Sequence, residues 1–152
     1  MSENKNADNI TIETIQNAVE SVFKDSYVFI VLMGSAATER FHKESDIDLA
    51  IYLKKIEATI DNTIAGKKSA VDAVFRKTIE LENILGRDCD LVILNDCDPI
   101  FCRQVLESGR LLLITDDSAF NIWKAEQMSR YPDFKYSRIV IENNLLNRKK
   151  YV

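Results

Sequence analysis

An apolar run of seven residues, Tyr27-Val28-Phe29-Ile30-Val31-Leu32-Met33, ends abruptly at Gly34-Ser35; ten residues further on, an alternation of acid and aliphatic begins at Asp46-Ile47-Asp48-Leu49. The run is β-branched and aromatic, too short for a typical helix, and apolar at consecutive positions. That is the pattern of a central strand covered on both faces, so the chain must supply packing layers above and below it. A length of 152 residues with 46% hydrophobic side chains suits one domain built around such a strand.

The flanking sequence predicts those layers. Ile12, Ile15, Val19, Val22 and Phe23 recur at helical spacing over 10–23. A short helical turn is expected after Gly34-Ser35, from Ala36 to Arg40, and Asp46 to Leu53 reads as a second strand. Beyond a polar connection through Lys54 and Gly66-Lys67-Lys68, the residues Val71, Val74, Phe75, Ile79, Leu81, Ile84 and Leu85 support a helix that stops at Gly86. Asp88 to Leu94 reads as a third strand. Pro99 to Glu107 reads as a short helix opened by its proline and followed by Gly109, and Arg110 to Ile114 as a fourth strand. From Ser118 onward Phe120, Ile122, Trp123, Ala125 and Met128 predict another helix, and Pro132 interrupts it or opens a last one running past Leu145 and Leu146. The expected class is α/β with a helical C-terminal end: a single domain over 1–152, its core at about 27–115 and its C-terminal helices at about 117–149.

Charge and cysteine usage narrow the function. A formal net charge of −4 argues against broad electrostatic capture of nucleic acid, which relies on many lysine and arginine contacts to phosphate, but leaves a nucleotide substrate open. The basic end Arg148-Lys149-Lys150 reads as a solvated helix terminus. The longest apolar run is far below the roughly 20 residues that a helix needs to cross a bilayer. The polar stretch from Met1 to Asp8 holds no signal-peptide core, so a soluble cytoplasmic protein without membrane contact is expected. Cys89, Cys97 and Cys102, with His42 as the one histidine, read as reduced core thiols rather than a metal site.

The chemistry is concentrated where the first strand ends and the second begins. A glycine after a buried strand lets the backbone turn sharply and approach a phosphate, while N–H groups at a following helix start, and the Ser35 hydroxyl, can donate to phosphate oxygens. Asp46 and Asp48, two apart on a strand, point to one face with Cα atoms roughly 6.5 to 7 Å apart. Two carboxylates so placed repel when empty and converge favourably on divalent metal plus triphosphate. A Gly-Ser turn alone is a common loop, and an Asp-x-Asp alone caps or solubilises an edge. Their conjunction with a buried strand before and an acidic strand after is what carries information.

Gly34-Ser35, ten residues, then Asp46-Ile47-Asp48 resembles the signature of the polymerase-β-like nucleotidyltransferases, with Ser45-Asp46-Ile47-Asp48-Leu49 its most recognisable part. The resemblance covers about 28–114 and implies a mixed sheet flanked by helices. It also implies a third acid on a later strand. Asp90, directly before the aliphatic run Leu91 to Leu94, matches that position, with Asp88 as its competitor on the same face. The short length is similar to the minimal nucleotidyltransferases that act as antitoxins beside HEPN-domain ribonuclease toxins. By that resemblance Asp46, Asp48 and Asp90 would hold two Mg²⁺ ions, and Gly34 and Ser35 would position the β and γ phosphates of ATP. AMP would pass to a tyrosine hydroxyl of a cognate HEPN toxin, held in a hetero-oligomer. Many minimal members carry an arginine directly after Gly-Ser. Here Ala36 stands in that place, which leaves Arg40, Lys43 or Lys54 to meet the triphosphate.

Two other functions compete: a small-molecule transferase of the aminoglycoside-modifying sort, which needs an acceptor pocket, and a non-catalytic antitoxin that neutralises by binding. Other features carry less. Gly66-Lys67-Lys68-Ser69 suggests a phosphate-binding P-loop, but the required glycine five residues earlier is Asp61. His42 reads as a solvated loop side chain. Trp123, Tyr131 and Tyr136, at helical spacing, predict core or partner contacts rather than a base-stacking platform.

Overall fold

The computed structural model describes residues 10–37, 45–54 and 64–130. The apolar run Tyr27–Met33 is strand β1, with the bounds that the sequence predicts, and every residue from Tyr27 to Leu32 is buried. Before it, helix α1 (Ile12–Phe23) starts two residues later than the periodicity suggests, because Thr11 takes the N-cap and its hydroxyl accepts from the Thr14 N–H at 3.1 Å. A single helical turn, α2 (Gly34–Ala37), follows β1, and strand β2 spans Ile47–Leu53. Helix α3 (Ile64–Leu85), strand β3 (Cys89–Ile93), helix α4 (Pro99–Ser108), strand β4 (Arg110–Ile114) and helix α5 (Asp117–Ser129) complete the described chain. Asp98 and Asp116 cap α4 and α5, accepting from Ile100 N at 2.8 Å and Ala119 N at 3.0 Å.

The sheet order is β3-β2-β1-β4, with β1 antiparallel to both β2 and β4, and β2 parallel to β3. The parallel pair follows from the crossover through α3, which a hairpin could not provide. Two cores cover the two faces. Ile30 and Leu32 of β1, with Ile47, Leu49, Ile51 and Leu53 of β2, pack under α1 and α3. Phe29 and Val31, with Ala50 of β2, pack under α4 and α5. Phe29 is fully buried, its ring 4.8 Å from Phe120 in an edge-on contact and 4.9 Å from Trp123. Buried side chains of that size contribute about 1.5–3 kcal/mol each. Trp123 is thus a core residue. The Asn95 amide continues the β2 edge past β3, its Oδ1 accepting from Leu53 N at 2.8 Å and its Nδ2 donating to Leu53 O at 2.9 Å.

Helix α3 departs from the sequence reading in two ways. It begins at Ile64, so Gly66-Lys67-Lys68 lies inside a helix rather than a connection. Its buried face is Val74, Thr78, Leu81 and Leu85, while Val71, Phe75, Ile79 and Ile84 stand exposed. Cys89 and Cys102 are buried free thiols, and burial pushes them up to about 12 and about 11; Cys97 is half-buried. His42, Tyr131, Tyr136, Asp61, the helix expected after Pro132 and the basic end at 148–150 lie outside the described residues. No described helix is long and apolar enough to cross a membrane.

Candidate active site

The register of the sheet places the candidate carboxylates. Met33, the last residue of β1, pairs with Asp48, and Asp48 in turn pairs with Asp90 across the parallel ladder. Alternation along β2 sends Ile47, Leu49 and Ile51 to one core and leaves Asp48 on the opposite face with Ala50 and Tyr52. Cys89 and Leu91 point to the first core likewise, so Asp90 shares the face of Asp48. Asp46 is exposed and stands just ahead of β2 rather than in it, because pairing begins only where Ile47 N donates to Asp88 O at 2.9 Å.

Asp48 is half-buried. Burial, then the neighbouring charges of Asp90 and Asp46, push its carboxyl above the ordinary value of 3.8, and a hydrogen bond from the protonated group to Asp90 holds the proton further. Asp90 is the cross-strand partner of Asp48 and raises it more than Asp46 does. Among the described residues, no three His, Cys, Asp or Glu side chains are already gathered closely enough to hold a metal ion. The donor chemistry nonetheless fits a hard divalent cation: Asp48 and Asp90 offer carboxylate oxygens on one face, and burial and like charge raise the Asp48 carboxyl, a cost that a bound cation would offset.

Gly34 supplies the opposite wall. Its φ is +66°, and a Cβ added there would lie 2.5 Å from Asp48 Oδ2. Only glycine permits both the left-handed turn and this approach of backbone to carboxylate. Gly34→Ala is expected to lower catalytic turnover by a hundredfold or more while leaving the fold intact. Steady-state rates beside a thermal melt check it, and near-wild-type turnover would count against this packing as a requirement. Ser35 is the second residue of α2. Of the proposed replacements for the missing arginine, Lys54 is ruled out by topology. Its N–H bonds Ser26 O at 3.1 Å, beside the start of β1, roughly 20 Å of strand away from Gly34. Arg40 and Lys43 lie outside the described residues.

Residues 13–118 match the family described as polymerase beta, nucleotidyltransferase. The chain belongs to this family. The match extends beyond the motif at both ends, taking in α1 and the start of α5. Among curated proteins the chain is similar to the protein adenylyltransferase MntA of Shewanella oneidensis, 29% identical over 119 residues, covering 77% of this chain and 75% of that one. A toxin–antitoxin complex with AMP-PNP contains a chain 25% identical with a TM-score of 0.61, covering 84% of this chain and 95% of the other. The MNT antitoxin bound to tri-AMPylated Shewanella oneidensis HEPN toxin is 23% identical with a TM-score of 0.58, covering 88% and 97%, a likeness of fold.

One feature of the site has no counterpart in the sequence reading. Beside Asp46 and Asp88, a groove of about 410 Å³ opens between the start of β2 and the end of α3, lined also by Glu82, Asn83 and Arg87. Its residues come from three separated segments and form no motif. The one available signal is the cluster of charge around Gly86, whose φ of +67° turns α3 back toward β3.

Proposed function

We propose that this protein is an antitoxin adenylyltransferase: it transfers AMP from ATP to a tyrosine hydroxyl of a cognate HEPN ribonuclease and so silences it. The observation that carries the proposal is the apposition of Gly34 to Asp48, with Asp90 in register on the same face. Likeness to an adenylyltransferase, and to antitoxin chains seen with AMP-PNP and with an AMPylated HEPN toxin, supports it.

Asp46, Asp48 and Asp90 are the proposed ligands of two Mg²⁺ ions. Magnesium held there would supply charge to lower the acceptor hydroxyl's pKa and to offset that of the leaving pyrophosphate. The Gly34 turn admits the β and γ phosphates close to the backbone, and Ser35 joins it in positioning them. The tyrosine oxygen bonds to the α-phosphorus as the bond from that phosphorus to the pyrophosphate oxygen breaks, and Asp90 takes the hydroxyl proton. The cytoplasm, where ATP and a ribonuclease's substrates meet, is the proposed location.

Intact mass of a HEPN ribonuclease, encoded beside this protein and incubated with it, ATP and Mg²⁺, tests the proposal. Each AMP should add about 329 Da, the mass left after loss of pyrophosphate. Mass added to an aminoglycoside-type small molecule and never to protein would transfer the reading to that class.

A further inference from the structure

Two apolar side chains flank the acids on the face of the sheet that carries Asp48 and Asp90, one on each side. Met33, the β1 partner of Asp48, is half-buried and packed toward Gly109, where an added Cβ would lie 3.0 Å from its Sδ. Val92 is on the other side, on the edge strand β3, and pairs with Ala50 as Asp90 pairs with Asp48. Leu91 and Ile93 turn to the opposite core, so Val92 shares the face of Asp90.

Val92 is open where its neighbours are closed. It is 38% exposed, whereas Ala50 beside it is fully buried and Leu94, two residues further on, is 2% exposed. The cover of the core thus ends between Leu94 and the exposed Asp90, and Val92 is the apolar step between them. The direction of the proposed reaction decides which substrate meets it. Displacement at phosphorus is in line, so if pyrophosphate leaves on the Gly34 side, over β1, the acceptor oxygen arrives from the Asp90 side, over β3. The Cα atoms of Asp90 and Val92, two apart on a strand, are separated by roughly 6.5 to 7 Å. A tyrosine side chain spans about that length from its hydroxyl to its Cβ.

We propose that Val92 is the platform for the acceptor's aromatic ring: with the hydroxyl at Asp90, the ring lies along β3 on the valine methyls. This rests on the proposed transfer to a tyrosine. The ring covers an aliphatic side chain that otherwise stays in water, which gains apolar burial, and it fixes the direction from which oxygen meets phosphorus. A serine or threonine hydroxyl placed at Asp90 brings no ring to Val92 and forgoes both effects. Val92 is therefore a specificity determinant for an aromatic acceptor. Among the described residues β3 has no strand on its outer side, so the segment that carries the tyrosine can approach over that edge.

The test uses the full chain, the neighbouring-gene HEPN ribonuclease and two substitutions that separate contact from structure. Val92→Thr keeps the shape and the strand preference but replaces a methyl by a hydroxyl, whereas Val92→Ile keeps the apolar contact and changes the shape. Initial rates of AMP addition are read by intact mass at varied partner concentration. The kcat/KM for the partner should fall about tenfold in Val92→Thr and stay within about twofold of wild type in Val92→Ile. Melting temperature, and ATP affinity measured with Mg²⁺ and no partner, should match wild type in both. A wild-type kcat/KM in Val92→Thr, or an equal loss in both variants, would overturn the platform and leave the adenylyltransferase standing. A change in ATP affinity would overturn it in favour of a nucleotide contact. Peptide mapping that finds AMP on no residue of the partner, or on a serine or threonine, would overturn the proposed tyrosine transfer and the platform with it.

Discussion

Asp46→Asn and Asp48→Asn are each expected to lower kcat/KM for AMP transfer on the order of a thousandfold, about 4 kcal/mol of transition-state stabilisation. Each change removes a charge from the proposed metal face without altering size. Asp90→Ala should join them through kcat, because Asp90 pairs with Asp48 across the ladder and is the proposed base. Asp88→Ala should be mild by comparison, since its backbone carbonyl, not its side chain, anchors β2. For Asp48→Asn the loss of activity should come with a gain in stability. The folded state holds the Asp48 proton more tightly than the unfolded chain does, so stability contributed by this group falls as pH rises from the ordinary value of 3.8 through the raised one. Above that window the charged carboxylate is a net cost, which asparagine removes. Labelled-ATP assays and melts in EDTA at neutral pH check both halves. Full transfer by the Asp46→Asn/Asp48→Asn double variant would sink the proposed site, and a lower melting temperature for Asp48→Asn would contradict the electrostatics.

Strands β1 and β4 were legible to the residue because local chemistry punctuates them. Ser26 and Gly34 bracket one, Gly109 and Thr115 the other, and both runs are apolar enough that no alternative element fits. Helix α3 was less legible for two local reasons. Gly66 followed by two lysines has the composition of a loop, and the glycine's helical penalty of about 1 kcal/mol is overridden by the length of helix around it. Its apolar residues also populate more than one face. Periodicity alone could not choose between the stripe of Val71 and Phe75 and that of Val74, Leu81 and Leu85; packing against α1 buries the second.

The site shows the same division. Gly34, Asp46 and Asp48 stand close in sequence, so turn chemistry and strand alternation suffice to group them. The apposition of Asp90 to Asp48 depends on the register of a parallel pair whose connection runs through a 22-residue helix, and no local pattern specifies that register. The resemblance supplied the position, and the ladder supplies the contact.

A HEPN ribonuclease treated with this protein, ATP and Mg²⁺ is expected to remain at least a hundredfold less active after the antitoxin has been stripped away under denaturing conditions and the toxin refolded. Neutralisation by contact is reversible: once the partners are separated or diluted below their dissociation constant, activity returns at the dissociation rate. A phosphodiester on a tyrosine oxygen survives both separation and refolding. The decisive comparison is with Asp46→Asn and Asp48→Asn taken through the same procedure. Neither substitution touches the buried core, so the variants should still fold, and any inhibition by them should vanish on separation. Residual ribonuclease activity, read on a fluorogenic RNA beside the mass of the same sample, should fall in proportion to the fraction carrying AMP. Equal protection by wild type and variants, lost from both on separation and without added mass, would make this chain a covering antitoxin in which Asp46, Asp48 and Asp90 do no chemistry.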